Sequence, residues 1–443
     1  MKLWTKDKDS LTEVTNFTTG KDQEMDLFLA PFDVLGSLAH IQMLESVGLL
    51  KKEELDKLSV ELKNIYQQIQ KGDFKIEDGV EDIHSQVELL LTKKLGDIGK
   101  KIHSGRSRND QVLVDVKLYL RFEIQELVNE IKNVFDLLIS KSEAHKDKLL
   151  PGYTHLQLAM PSSFGLWFGA YAESLVDDVI TLQSAYRVAN KNPLGSAAGY
   201  GSSFPLNRTL TTTLLGFEHL NYNVVYAQMG RGKTEKIVAS AMGNVAGTLA
   251  KLSMDATLFL NQNFGFISFP DELTTGSSIM PHKKNPDVFE LVRAKCNSLQ
   301  SLHNELLLIT ANLPSGYHRD LQLIKEKLFP AFQTLKDCLR MVYLMLSNIQ
   351  VKENILADDK YKFLFSVEEV NKLVLQGIPF RDAYKQIGLD IEKGNYHPSN
   401  SVNHTHEGSI GNLGNSQITQ MMNQVIAEFP FQKTDAAIQA LIK

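Results

Sequence analysis

The densest group of chemically active side chains lies in one polar segment, residues 275–287, with the sequence TGSSIMPHKKNPD. Glycine and two prolines frame two serines, two lysines and an amide. Such a loop can present backbone N–H groups, a cation and a hydroxyl to an anion. The triplet Asn285-Pro286-Asp287 is also a good helix start, so a polar linker that ends in a helix cap explains the composition equally well.

A second cluster, residues 104–111, reads SGRSRNDQ and directly precedes the longest helical pattern of the chain. Two guanidinium groups, Arg106 and Arg108, beside a free helix N-terminus would attract a carboxylate, so these residues could form a carboxylate clamp. An ordinary N-cap segment with solvated arginines would explain the same residues.

Two more polar segments carry a histidine. In residues 151–161, His155 stands between Thr154 and Gln157, where an imidazole could transfer protons near neutral pH. A structural histidine is the plainer interpretation. The other segment, residues 317–325, reads YHRDLQLIK, and a helix cap with surface charge would account for it as well.

Two motifs resemble known sites without their context. Residues 227–234, AQMGRGKT, fit a loose phosphate-loop pattern, but no alternation of strand and helix follows, so we do not expect nucleotide hydrolysis there. His404 and His406 are spaced as a pair but lack a third ligand at a recognisable spacing, so we do not expect a zinc site.

The elements that would position these groups are predicted to be helices. Leucine and isoleucine recur at spacings of three and four in residues 55–69, and Gly72 supplies a stop. A longer helix is predicted from Asn109 towards residue 150. Its apolar stripe comprises Leu113, Val116, Leu120, Ile124, Leu127, Ile131, Val134 and Leu138. Four more long helices are predicted over residues 161–191, 233–261, 286–312 and 320–347, with a kink at Pro330.

Five long helices in succession predict an all-α chain with a central long-helix bundle. Several of them are apolar on more than one face, so we expect a homo-oligomer whose subunits share a helical bundle. From residue 354 the helices become shorter. The expected domains are an N-terminal helical domain (1–108), a central five-helix bundle (109–353) and a small C-terminal helical domain (354–443).

Composition restricts the class of partner. The formal net charge of −5 argues against nucleic acid or a membrane surface as a partner. The charges among residues 1–9 argue against a signal peptide, and no run of about 18 apolar residues predicts a membrane span. The two cysteines, Cys296 and Cys338, are too few for a disulfide framework. We therefore expect a cytoplasmic protein.

Taken together, the clusters resemble the fumarase/aspartase superfamily. Residues 276–287 match its signature loop. Residues 104–111, 152–157 and 317–325, with Glu81-Asp82-Ile83-His84 and residues 377–381, are similar to the argininosuccinate lyase family within it. The similarity runs in the expected order from about residue 80 to about residue 390.

The resemblance implies a three-domain helical subunit, a homotetramer whose active sites draw on different subunits, and elimination of fumarate from argininosuccinate without a metal or an organic cofactor. Matching residue by residue, Ser277 is the proton-abstracting serine, Lys283 stabilises the resulting carbanion, His155 protonates the leaving nitrogen and Glu290 orients His155. The opposite assignment, with the histidine as base and the serine as acid, stays open. The implied substrate-binding residues are Arg108, Asn109, Thr154, Ser278, Asn285, Tyr317, Gln322 and Lys325.

The sequence departs from the family at three places. His282 replaces the usual glutamine, residues 17–22 (FTTGKD) replace a segment with a substrate-contacting serine, and residues 228–233 replace a more acidic segment. An N-acylated argininosuccinate therefore stays open as the substrate. Two further hypotheses also stay open: a sibling lyase for adenylosuccinate, fumarate or aspartate, and a crystallin-like structural homologue without activity.

Overall fold

Helices make up most of the computed structural model, which describes residues 12–443; the segment 1–9 used above against a signal peptide lies outside the described residues. Within that range six short strands and seventeen α-helices occur. The helices are α1 Thr12–Thr19, α2 Asp22–Ser46, α3 Lys52–Gln70, α4 Ile83–Leu95, α5 Asp97–Lys100, α6 Arg108–Ala144, α7 Phe164–Ala189, α8 Arg208–Leu214, α9 Val224–Met229, α10 Lys233–Leu260, α11 Asp287–Gln300, α12 Leu302–Ile309, α13 Leu323–Ser347, α14 Ser366–Leu375, α15 Phe380–Glu392, α16 Asn415–Ala427 and α17 Phe431–Ile442.

The strands form three separate pairs. An antiparallel hairpin joins β1 (Leu149–Thr154) to β2 (Gln157–Ser163). The parallel pair β3 (Lys191–Asn192) and β4 (His219–Leu220) has two residues in each strand. The antiparallel pair β5 (Ile267–Ser268) and β6 (Gln350–Val351) is equally short. The all-α prediction is therefore confirmed for the architecture, with strands used only as connections.

Helix α6 is the longest element, with 37 residues, and spans about 55 Å at ~1.5 Å per residue. Ser107 caps its N-terminus, and Ser107 and Asp110 form a reciprocal capping box. Every residue of the predicted apolar stripe is buried. The N-cap interpretation of residues 104–111 is thus confirmed. The side chains of the first turn, including Arg108 and Asn109, are therefore held at one end of a long helix.

The five long helices form a closed bundle in which each packs on the next. Their order around it is α6, α7, α10, α11 and α13, and α13 returns to α6. Helices α10 and α11 are antiparallel, since Arg293 Nη1 lies 3.1 Å from Met254 Sδ near the end of α10, while Gln300, the last residue of α11, lies beside Gly243 and Gly247 nearer its start. The start of α11 therefore lies beside the end of α10.

Two predicted helix boundaries were wrong. The helix expected from Pro161 begins at Phe164, because residues 157–163 pair with β1 as strand β2 and the Ser163 side chain caps α7. The helix expected over 286–312 is divided into α11 and α12 around Ser301. Pro330 lies inside α13, as predicted.

A smaller layer of α2, α3 and α4 covers the N-terminal half of α6. By length and composition α2 is apolar enough to cross a membrane, but 72% of its most apolar window is buried inside the chain. That burial is typical of a core helix. At the other end of the chain, α16 packs on α7, and α17 packs on α2 and α8.

Candidate functional site

A charged cavity of about 210 Å³ lies where α2, α6 and the segment before α13 meet. It brings together five of the predicted substrate-binding residues: Arg108, Asn109, Tyr317, Gln322 and Lys325. Its walls are otherwise lined largely by ionisable side chains. A small polar ligand with several charges fits such a cavity better than an apolar one.

Arg108 and Asn109 are held at the cavity by the first turn of α6. The Arg108 guanidinium forms an ion pair with Asp82 and donates to Ser85 Oγ at 2.7 Å. Arg106 turns the other way: it is buried and donates to Ser37 Oγ at 3.1 Å. The proposed two-arginine clamp was therefore wrong, since only Arg108 faces the cavity.

Gln322 and Arg319 fasten the N-terminal segment to the cavity. Gln322 Nε2 donates to the carbonyl oxygens of Thr18 and Thr19, both at 3.1 Å, and Arg319 Nη2 donates to the Thr18 carbonyl at 2.8 Å. The segment that departs from the family pattern thus forms part of the cavity wall. It leads directly into α2, whose first residue is Asp22.

Lys325 sits between two carboxylates of α2. Its Nζ lies 2.5 Å from Asp26 Oδ1 and also forms an ion pair with Asp22. Burial alone would lower the pKa of Lys325, but the charges of Asp26 and Asp22 outweigh it and raise this pKa. Burial raises the pKa of Asp22, Lys325 opposes this effect, and Asp26 adds to it.

Arg231 is the cavity cation that is not matched to a carboxylate. It is 7% exposed, and within residues 12–443 no carboxylate oxygen lies within 4.0 Å of its guanidinium. Its Nη2 makes one long contact of 3.4 Å to the Leu321 carbonyl, and its Nε has no partner among those residues. The guanidinium carbon stands 5.8 Å from the centre of the Tyr317 ring.

Behind the cavity, His84 joins three helices. Its Nδ1 lies 2.7 Å from Asp33 Oδ1 of α2 and 3.6 Å from Asp115 Oδ2 of α6. Burial is the largest single effect and would lower the pKa of His84, but Asp33, Asp82 and Asp26 together raise this pKa above its usual value. Burial raises the pKa of Asp115 well above its usual range. These three side chains are fully or almost fully buried, and they fix the relative positions of the elements that carry Asp22 and Arg108.

The signature loop lies elsewhere, between β5 and α11. Ser277 is half-buried, and its Oγ accepts hydrogen bonds from the backbone N–H groups of Met280 at 3.1 Å and Ile279 at 3.4 Å. Donors to an oxygen favour its negatively charged form. Ser278 is exposed. The loop is closed at its base by the Asn285 N–H, which donates to the Thr275 carbonyl at 2.8 Å.

The two adjacent lysines of the loop differ in their partners. Lys284 forms an ion pair with Asp271. Lys283 has no carboxylate within 4.0 Å in the described part of the chain, and it is exposed. Asn285 Nδ2 reaches the Gly276 carbonyl at 3.3 Å. Lys283 is thus the loop cation that is free to meet an incoming anion.

His155 and Thr154 lie at the tip of the β1–β2 hairpin. His155 and Leu156 are the two turn residues, and both have positive φ, 55° and 58°. Two consecutive left-handed residues fit the twist of a two-residue hairpin but disfavour side chains with a Cβ. Both side chains are exposed. A tip held in this conformation presents the imidazole outward, away from its own chain.

Within one chain the predicted residues form three separate groups. Asn109 is the second residue of α6, which spans about 55 Å, and His155 lies beyond the far end of that helix. The loop of Ser277 lies near the end of α10, whereas Arg231 precedes its start by two residues, about 40 Å away. Glu290, in the first turn of α11, is exposed, and no ion pair within 4.0 Å joins it to His155 in the described chain.

The two unmatched motifs have ordinary surroundings. The residues before Gly230 form helix α9 rather than a strand, and Gly232 serves as the N-cap of α10. His404 Nε2 lies 2.9 Å from Glu368 Oε1. The metal-compatible group of side chains found in residues 12–443 is the buried set Asp33, His84 and Asp115.

Charged cavity residues that were not among the predicted site residues include Asp22, Asp26, Arg231 and Arg319. Asp22 and Asp26 are four residues apart on one helix face, which was a usable signal. Arg231 lay inside the motif that resembles a phosphate loop, and that resemblance hid it. Nothing local distinguishes Arg319 from a solvated arginine.

Comparisons with known proteins agree over the whole chain. Residues 4–300 match the profile of a family described as lyase. An argininosuccinate lyase of Parabacteroides distasonis is 67% identical over 441 residues, covering 100% of this chain and 99% of that protein. One of Bacteroides fragilis is 63% identical with the same coverage. A solved EDDS lyase variant with bound fumarate superposes with a TM-score of 0.77 at 20% identity, covering 98% of this chain and 95% of that one, which shows a shared fold.

Proposed function

The chain belongs to the argininosuccinate lyase family and is a carbon–nitrogen lyase, and we propose that several copies of it combine their three residue groups to eliminate fumarate from argininosuccinate, leaving arginine. The relatives favour neither a sibling lyase nor a structural homologue. In the reversible anti elimination, a proton leaves the succinyl carbon beside a carboxylate. The carbon–nitrogen bond then breaks, and the nitrogen departs with the electron pair.

Ser277 is the proposed base. A neutral hydroxyl is a weak base, so its alkoxide must be stabilised. The two N–H groups that already point at Ser277 Oγ support this role, because they would bind the alkoxide more strongly than the hydroxyl. This is the observation that carries the proposal. The proton moves from carbon to this oxygen.

Lys283 and Asn285 are proposed to hold the carboxylate beside the reacting carbon. Removal of the proton makes that group a dianion, and a preorganised cation is most effective where charge develops. Lys283 has no ion-pair partner in the described chain, so binding a substrate carboxylate would break no existing ion pair. This supports the assignment. Ser278 and Thr154 are proposed to add hydrogen bonds to the substrate.

His155 is proposed to protonate the departing nitrogen, and Glu290 to orient the imidazole. Anti elimination places acid and base on opposite faces of the substrate, so they should approach from separate segments, as the hairpin and the loop do. The reverse assignment, with His155 as base and Ser277 as acid, uses the same geometry. The substrate's remaining charged groups would meet Arg108, Asn109, Tyr317, Gln322 and Lys325.

A homotetramer with shared sites is the proposed assembly. Groups at opposite ends of a helix about 55 Å long cannot meet within one chain, so they would have to meet between chains. The central helices also expose large apolar side chains that a monomer leaves in water. These are Ile180, Met254, Leu291, Leu307, Leu308, Met341, Tyr343 and Leu344.

The division into residues 1–108, 109–353 and 354–443 is also a proposal. It is supported by the start of α6 at Arg108 and by β6 as the last element that pairs with the bundle end. A cytoplasmic location is proposed on the likeness to the bacterial relatives.

Two measurements test the proposed function. Purified protein mixed with argininosuccinate should release fumarate, followed by its ultraviolet absorbance, and arginine in equal amount. Adenylosuccinate and aspartate in place of argininosuccinate should give no fumarate. Light scattering should give an assembly of about four chains of 49.7 kDa. A stable monomer that turns over argininosuccinate would contradict the shared site.

A further inference from the structure

Four charged side chains share one wall of the cavity: Asp22, Asp26, Lys325 and Arg231. Lys325 contacts both carboxylates, while Arg231 contacts neither within 4.0 Å. With all four groups ionised the cluster is neutral. Its opposite charges are nevertheless incompletely paired, because one ammonium serves two carboxylates, while the Arg231 guanidinium has no carboxylate within 4.0 Å in residues 12–443 and feels Glu235 and Asp22 only over a longer distance.

Arg231 therefore has a buried positive charge without a close carboxylate partner in residues 12–443. It is more than nine-tenths buried, its Nε has no partner among residues 12–443, and its remaining contact is a long bond to a backbone carbonyl. A buried charge without a paired partner is costly. A ligand carboxylate would satisfy it with the fork geometry that guanidinium groups favour.

Asp22 provides the complementary half. It is the first residue of α2, and the preceding backbone is fixed by Gln322 and Arg319 through the carbonyls of Thr18 and Thr19. Its carboxylate shares Lys325 with Asp26, which leaves acceptor capacity towards the cavity. A second cation beside Asp22 would relieve the repulsion between the two neighbouring carboxylates.

We propose that Asp22 and Arg231 together clamp the α-amino acid end of the substrate, and that Asp22 makes the enzyme specific for a free α-ammonium group. The α-carboxylate binds Arg231 and the α-ammonium group binds Asp22. This inference rests on the proposed function. It selects argininosuccinate itself over its N-acylated forms.

The charge balance explains the selectivity. A zwitterionic amino-acid end is neutral, so it enters the neutral cluster and satisfies both unpaired groups. An N-acylated end keeps the carboxylate but replaces the ammonium by a neutral amide. The neutral amide does not compensate the charge of Asp22. The ligand then adds only its carboxylate, so the cluster has a net negative charge in a half-enclosed site.

The test compares kcat/KM for argininosuccinate and for N-acetylargininosuccinate. Wild type should prefer the free amine by at least tenfold. Asp22→Asn keeps the side-chain size and removes the charge, so it should cut this preference by at least tenfold, mainly through a loss with argininosuccinate. Arg231→Gln removes a contact that both substrates share, so it should raise KM for both alike and leave the preference unchanged.

One control variant and three contrary outcomes keep the interpretations distinct. Asp56→Asn removes an exposed carboxylate in α3, paired with Lys52, and should change neither rate. If Asp22 only positions Lys325, Asp22→Asn lowers both rates equally, and the proposal is overturned. Wild-type rates for the two substrates within about threefold overturn it without any variant. Absence of fumarate release from either substrate would instead refute the proposed function.

Discussion

The Ser277 hydroxyl is held as an acceptor by two backbone N–H groups, so its oxygen is prepared for negative charge before substrate arrives. We expect Ser277→Ala to lower kcat and kcat/KM together by more than tenfold, because the lost interaction belongs to the transition state. Removing one half-buried oxygen should change the free energy of unfolding by less than about 1 kcal/mol. Steady-state kinetics and thermal melting measure the two effects.

The same variant decides between the two assignments of base. If Ser277→Ala keeps more than about a tenth of wild-type kcat, the barrier has changed by less than ~1.4 kcal/mol. Such a result would exclude Ser277 as an essential proton-transfer group and leave His155 as the candidate base. Ser416→Ala, on an exposed residue of α16, is the matched control for loss of a serine hydroxyl.

Lys283 and Lys284 form a natural pair of matched variants, because they are adjacent and differ in their partners. Lys284 is engaged by Asp271, whereas Lys283 is unpaired. We expect Lys283→Met to reduce kcat by about 10²-fold or more, as removal of a charge-stabilising group does. Lys284→Met should cost less than tenfold. Equal losses from the two variants would contradict a specific electrostatic role for Lys283.

At the scale of elements, His84 ties α4 to α2 and α6 through Asp33 and Asp115. Burial would lower the folded-state pKa of His84, but the neighbouring carboxylates, Asp33 foremost, together raise it. A raised folded pKa contributes stability in full below the unfolded value of about 6.5, and this stability is lost as pH rises through the folded pKa.

The His84 linkage can be measured as a difference in Tm. The Tm of the wild type should exceed the Tm of His84→Gln by most at about pH 6, and this difference in Tm should narrow as the pH rises towards about 9. Both proteins must be compared at one concentration, because assembly also shifts Tm. A difference that stays constant across this range would mean that His84 does not carry the charge assigned to it.

The elements were predictable where one signal dominated. The stripe of α6 and an N-cap within residues 104–111 follow from spacing and side-chain type, and both were predicted, although the capping residue, Ser107, was not named. The hairpin was not, because its turn is His155-Leu156 rather than a glycine pair, and residues 157–163 carry no strict alternation. Among site residues, Arg231 could not be placed beside Asp22 and Asp26, since only the packing of α2 against the segments around α10 and α13 brings them together.

At the scale of the whole molecule, the length of α6 supports the proposed sharing of sites between chains, and co-expression of two inactive variants tests this proposal. His155→Gln and Asn109→Leu should each be inactive alone. If each site takes Asn109 from one chain and His155 from another, about a quarter of the sites in random mixtures regain both native residues. Activity should therefore reappear in the mixture. No recovery, with mixed assembly shown by differential tags, would mean that both residues serve one chain's own site.

The length of helix α6 also has a genetic consequence, which concerns the effect of one defective gene copy on the activity of the mixed assembly. If the two ends of α6 belong to different sites, as proposed, one chain that carries both His155→Gln and Asn109→Leu inactivates two sites while occupying one position in the assembly. In cells that make equal amounts of this chain and the normal one, activity should fall to about a quarter rather than to half. A gene for the doubly substituted chain would therefore be partly dominant over the normal gene.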